Sequence, residues 1–241
     1  MPYPIRFRAV MLAFAFLFLT SGCQSGRGVE HGQKPPREFV ALFNGKDLTG
    51  WKGLVADPIK RAKMSGTELA AAQAKADERM RAHWTAVQLD GGTVLHFDGK
   101  GDNLCTAKDY GDFEMIVEWK IPPGGDSGIY LRGSPQVQIW DNPLGSGGLY
   151  NNKKNLSNPL VVADKKPALG GAGEWNAFRI RMTGERVSVW LNGVLVTDNV
   201  VMENYWERDK PIYPRGAIEL QNHGGELWFR NLWVMELAIK P

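Results

Sequence analysis

An all-β sandwich with one inserted surface helix is the fold class that this 241-residue sequence predicts. From Phe113 to Ile121 the residues Phe113, Met115, Val117, Trp119 and Ile121 occupy one parity, and Glu114, Glu118 and Lys120 share the other with Ile116. Alternation with a period of two marks a strand that has one face in a core. Turn dipeptides recur along the chain, among them Asn44-Gly45, Asp90-Gly91 and Asn192-Gly193, and such pairs between alternating runs are hairpin chemistry. Only residues 57–84, rich in Ala, Lys, Glu and Arg, break the alternation.

Sandwiches of this type often reach about 200 to 250 residues as one domain, so a single domain is expected. The formal charge is +3, and once Arg6 and Arg8 are set aside with the segment that carries them, basic and acidic residues balance to within one. That balance leaves no footprint for nucleic acid.

In chain order, residues 1–22 read as a lipoprotein signal peptide: a short basic arm, an apolar run from Ala9 to Leu19, then small residues before Cys23. The run is shorter than the roughly twenty residues a spanning helix needs. Cys23 is the expected lipidation site, with plain secretion as the alternative. Either way the domain is expected to work outside the cytoplasm; with the lipid it sits in the cell envelope, periplasmic or on the outer-membrane surface, touching the membrane through that anchor only. Residues 23–37, rich in Gly, Gln, Pro and charge, form a tether. With Cys23 taken, Cys105 stands alone, so the fold rests on its core rather than on disulfides, and Cys105 reads as a small packed residue.

The sandwich domain is expected over residues 38–241, with the helical insertion at about 57–84. It opens with a short apolar strand, the Asn44-Gly45 turn and Trp51. Ser65 stands three places before Glu68, the spacing of a capping box, which predicts a helix from about Gly66 to Arg81. Strands follow at Trp84–Leu89 and Thr93–Asp98, then at Leu104–Ala107 and the Phe113 run. After Pro122-Pro123, Ile129 and Leu131 oppose Tyr130 and Arg132, and Val137 and Ile139 oppose Gln136, Gln138 and Trp140. The segment from Asn142 to Glu174 is a long loop, a length that is uncommon inside a compact domain and often functional; Tyr150 to Lys153 are placed either to cover a ligand or simply to be solvated. Asn176–Met182, the two strands about Asn192-Gly193, Gly216–Asn222 and Leu227–Leu237 complete the sandwich. Arg230 reads as an exposed strand charge.

The polar parity collects a carboxylate, a guanidinium, amides and aromatic rings, a mixture that grips a polar ring such as a sugar. Its members are Glu118, Tyr130, Arg132, Gln136, Gln138, Trp140, Gln221 and His223. Asp141 joins them only if its strand ends or bulges there. Each has a plainer reading: Glu118 with Arg132 as a cross-strand ion pair, His223 beside two glycines as a turn residue.

The stretches FVALFNGKDLTGW, GDFEMIVEWKIPPGGDSGIYLRG, PQVQIWDN, GEWNAFRIRMTGERVSVWLNG and GAIELQNHGGELWFRNLWV, in this order, resemble the 3-keto-disaccharide hydrolase (3-keto-glucoside lyase/hydratase) domain family over about Phe39 to Val234. The resemblance implies a concanavalin-like jelly-roll β-sandwich and an exported carbohydrate-active enzyme. In the chemistry it implies, a C3 keto group acidifies the C2 proton, a base removes that proton, and the enolate expels the C1 substituent; water then adds to the 2-hydroxy-glycal. Glu118 and His223 are the candidate base and acid, in either order, and Arg132 the group that holds the developing anion. Tyr130, Gln136, Gln138, Trp140, Asp141 and Gln221 are the candidate substrate-binding residues. A divalent metal ion on Glu118, Asp141 and His223 is the one cofactor considered, although no close-spaced ligand motif supports it. The alternative function is a noncatalytic, lectin-like carbohydrate-binding module, because one fold hosts both.

Overall fold

A computed structural model of the chain describes residues 34–155 and 173–238. The expected signal peptide, Cys23 and most of the tether lie outside the described residues. The elements are β1 (Val40–Ala41), β2 (Trp51–Gly53), α1 (Pro58–Lys63), α2 (Gly66–His83), β3 (Trp84–Leu89), β4 (Gly92–Phe97), β5 (Leu104–Thr106), β6 (Phe113–Lys120), β7 (Asp126–Leu131), β8 (Ser134–Trp140), β9 (Asn176–Thr183), β10 (Arg186–Leu191), β11 (Val194–Val201), β12 (Ile218–Leu220) and β13 (Leu227–Glu236).

The strands assemble into two antiparallel sheets. The larger is eight-stranded, in the order β11-β10-β9-β6-β13-β4-β3, with β1 added at β13; the smaller is five-stranded, β2-β5-β12-β7-β8. Alternation decides what lies between them. Met115, Val117, Trp119, Phe178 and Phe229 from the larger sheet meet Ile129, Leu131, Val137, Ile139, Ile218 and Leu220 from the smaller in one buried cluster. Burying each such side chain contributes roughly 1.5–3 kcal/mol. The jelly-roll sandwich is therefore built from the parity visible in the sequence.

The helix at the Ser65 capping box runs Gly66–His83, and both reciprocal bonds of the box are present. A short second helix, α1, precedes it, capped by Asp57, whose side chain accepts from the Lys60 amide at 2.8 Å. Six residues are too few to show a helical period, which is why the sequence displays only the longer one. In α2 only Ala76 and Met80 are buried, so its N-terminal cap matters: Ser65→Ala is expected to cost about 1 kcal/mol in urea unfolding, with little change in activity.

The helix sits against β2. The Gly53 amide donates to Asp77 Oδ1 at 2.9 Å and the Gly53 carbonyl accepts from Gln73 Nε2 at 2.9 Å. A β-carbon at Gly53 would stand 2.2 Å from the Ala76 carbonyl oxygen, so only glycine allows this approach. The two helices thereby form a wall beside the outer face of the five-stranded sheet.

Candidate functional site

The two sheets turn their polar parities to opposite sides of the sandwich. Across the outer face of the smaller one, Lys52 pairs with Cys105, Cys105 with Glu219, Glu219 with Tyr130 and Tyr130 with Gln136, a single row crossing all five strands. Gln138, Gln221 and Asp126 lie one or two steps along the same parity.

Amides dominate one end of this face. Gln136 Nε2 donates to Gln138 Oε1 and to Gln221 Oε1, both at 3.1 Å, and Gln138 Nε2 donates to Asp126 Oδ1 at 2.7 Å. Asp126 Oδ2 in turn faces His223 Nδ1 at 3.5 Å, where the His223 side chain is largely exposed. Gln136 folds flat over β7 because its neighbour there is glycine; a β-carbon on Gly128 would fall 2.2 Å from Gln136 Cγ. The network fixes the Gln136 amide, yet its Oε1 is buried and has no hydrogen-bond partner among the described residues. A buried acceptor left open costs about 1–3 kcal/mol unless something bonds to it, and a hydroxyl group would.

Aromatic rings border the same face. Tyr150 is exposed and tilts against Tyr205 at 6.5 Å, and Tyr205 meets Trp206 edge-on at 4.9 Å. Trp206 is held by a bond from Nε1 to the Gly133 carbonyl at 2.6 Å. Burial, reinforced by the charge of Glu219 and by Tyr205 and Tyr150, pushes the Tyr130 phenol up to about 12, so it stays a neutral donor. The described part of the long loop is fastened nearby: the amides of Lys153, Lys154 and Asn155 all donate to Glu203.

Glu219 occupies the middle of the row and is 3 % exposed. It lines a cleft of about 100 Å3 with Leu54, Asp57, Asn103, Tyr130 and Trp206. Burial pushes its carboxyl up to about 7, against the pull of Arg61, a bond from Asn103, and Lys52. Next to this cleft, and sharing Leu54, Pro58 and Gly133 with it, a cavity of about 660 Å3 opens under α1 and α2. That volume lies in the range of small-ligand sites. Lys52, Arg61, Arg132 and Arg215 line it against a single carboxylate, Asp109.

The structure brings together Tyr130, Gln136, Gln138, Gln221 and His223 and separates other expected members. Glu118 lies on the outer face of the other sheet, opposite Arg230 in the register of β6 and β13, and is bonded to Arg230 Nε at 2.5 Å. Its parity was readable, but which of two outer faces that parity meets depends on sheet order. Arg132 follows the end of β7 in a two-residue turn with Gly133, both at positive φ. The turn swings its guanidinium toward the sandwich end, where it bonds the Gly111 and Gly184 carbonyls and Asp112; it is not a cross-strand partner of Glu118. Arg230 is itself largely buried. Trp140 packs on its own loop through a bond to the Gly145 carbonyl. Asp141 lies just past the end of β8, exposed, accepting from the Gly124 amide at 2.9 Å. With Glu118 on the far side, Glu118, Asp141 and His223 do not form a common ion site, and among the described residues no three His, Cys, Asp or Glu side chains group for one. Sequence reasoning passed over Asp126, Tyr205, Trp206 and Glu219. The alternation of β12 already put Glu219 beside Gln221; no local pattern reports its burial.

With this geometry in place, the sequence matches the family of 3-keto-alpha-glucoside-1,2-lyase-like domains over residues 38–235. The chain belongs to that family. A curated relative, the 3-keto-disaccharide hydrolase of Bacteroides thetaiotaomicron, is 25% identical over 254 residues, covering 83% of this chain and 78% of that one. Among solved structures, a Parabacteroides distasonis protein assigned as a glycosyl hydrolase superposes with a TM-score of 0.58 at 26% identity, covering 84% of this chain and 85% of its own. A second from the same organism gives 0.53 at 22% identity, covering 83% and 94%, and shares the fold. Membership makes the chain a homologue of a carbohydrate-active enzyme family.

Proposed function

We propose that this protein cleaves or hydrates 3-keto-glycosides on the outer face of its five-stranded sheet, by C2 proton abstraction and elimination at C1. The observation that carries the reading is the preset amide network of Gln136, Gln138 and Gln221, in which the buried Gln136 Oε1 has no hydrogen-bond partner among the described residues. A sugar hydroxyl completes it, while Gln138 and Gln221 hold neighbouring hydroxyls and Tyr205 or Trp206 offers an apolar ring face. His223, paired with Asp126 on the exposed side, is placed to give the departing sugar its proton. The reading includes export, with a lipid on Cys23 holding the domain at the envelope.

The test is to incubate the purified protein with a 3-keto-disaccharide, with and without a chelator, and follow release of the free sugar. Release is expected, and Gln136→Leu should raise KM at least tenfold, since a site built to hydrogen-bond a hydroxyl discriminates strongly when that bond is lost. Saturable sugar binding with no release would instead establish a lectin-like module.

A further inference from the structure

We infer that Glu219 is the catalytic base that removes the C2 proton, an assignment that rests on the 3-keto-glycoside reading above. Four features place it there. It stands at the centre of the five-strand row, between Cys105 and Tyr130. It faces a cleft whose other walls are the Leu54–Pro58 segment, Asn103 and Trp206. Its exclusion from water is the condition under which a carboxylate becomes strongly basic toward a carbon acid. A β-carbon on Gly133 would come 3.8 Å from Glu219 Oε1, 3.3 Å from Pro58 and 3.9 Å from Arg61, so the missing side chain leaves a gap between the carboxyl and α1.

Proton balance follows from these neighbours. A Glu219 oxygen takes the proton from C2, and the C2–H electron pair becomes the C2–C3 double bond of the enolate, with the charge on O3. The neutral phenol of Tyr130 donates a hydrogen bond to that oxygen. The pair then returns to form the C1–C2 double bond and break the bond from C1 to the leaving oxygen, which takes a proton on the His223 side or from water. Glu219 and His223 are four residues apart in sequence, a backbone reach of at most roughly 13 Å, and the proposal sets a sugar ring between their side chains. Water then adds across the C1–C2 double bond: its oxygen bonds C1, Glu219 returns its proton to C2, and the proton that water gives up restores the one delivered to the leaving oxygen, so no oxidant or reductant is required.

The charged and titratable groups facing Glu219 are Lys52 on β2, Cys105 on β5, Tyr130 on β7, Arg61 on α1 and Asp57 at the α1 cap. Tyr130 and Cys105, both pushed up to about 12, stay neutral across the working range. A rise in kcat/KM through about pH 7 is therefore expected as Glu219 ionises.

The experiment combines turnover with exchange of the C2 proton in deuterated water, using a 3-keto-disaccharide. Glu219→Gln should lose at least 100-fold in kcat, the usual contribution of a positioned base, and should lose C2 exchange, with KM within a few-fold of wild type and no fall in melting temperature. Glu219→Asp should retain the rise with pH at a lower plateau. If wild type turns over and Glu219→Gln exchanges and cleaves equally fast, the base assignment falls while the functional reading stands. A kcat/KM independent of pH from 5 to 9 would overturn it as well. An inert wild-type protein would sink both.

Discussion

Arg230→Met is expected to lower the unfolding free energy by about 3–5 kcal/mol, the cost of stranding one partner of a buried ion pair. The Glu118 and Arg230 side chains are 2% and 12% exposed, and their bond is 2.5 Å long. The guanidinium also lies 4.1 Å from the centroid of Trp175. Among the described residues Glu118 Oε1 has no hydrogen-bond partner even with Arg230 present, so removing the arginine takes away the one described bond to this buried carboxylate. Urea unfolding of Arg230→Met, Glu118→Met and the double variant reads the effect. The double variant should recover most of the loss, because replacing both ions with apolar groups is often neutral or stabilising. Three equal, small effects would mean that water already screens the pair. Turnover by the double variant, measured below its melting temperature, separates a structural role for Glu118 from a chemical one.

Glu219→Gln is expected to melt at the same temperature as wild type near pH 4.5 and several degrees higher at pH 8. The carboxyl's ordinary value is 4.5 and burial lifts it to about 7. Below the first value both folded and unfolded chains hold the proton, and the group is neutral toward stability. Between the two the unfolded chain releases its proton first, so stability falls as pH rises; above about 7 both are ionised and the deficit is constant. The full deficit is on the order of 3 kcal/mol, which for a domain of this size is about 6–12 °C in melting temperature. Glutamine has nothing to ionise, so the difference between the two proteins isolates this group from every other titration. A difference that stays flat from pH 4.5 to 8 would show that water reaches the carboxyl freely. The same burial that makes Glu219 a base in the active protein is thus expected to weaken the fold at alkaline pH.

The sandwich was legible because its information is local. Phe113 to Ile121 alternates in sequence and is buried on one parity in space, Asn192-Gly193 makes its hairpin, and Ser65 with Glu68 caps its helix. The site was legible only in part, because a site is a statement about distance between strands. Gln136, Gln138 and Gln221 come together since β7 lies between β8 and β12. Glu118 has the same period and the same chemistry and lies on the opposite side. Arg132 left its strand through a turn whose Arg-Gly pair carries a weaker signal than Asn-Gly. Arg230 reads as an exposed charge on a strand, and nothing nearby in sequence announces Trp175 stacked upon it. Burial of Glu219 depends on Leu54, Pro58 and Trp206, residues distant along the chain.

At Gly53, Asp77 and Gln73 bond the outward amide and carbonyl of β2, and at the far margin the backbone of residues 147–150 does the same for β8 through Gln136 and Gln138. Both borders of the small sheet are thereby closed to an incoming strand, the usual route by which β proteins associate edge to edge. A chain trimmed of its two helices would expose one of those borders and gain a template for intermolecular pairing, so the insertion doubles as a guard against edge-to-edge association.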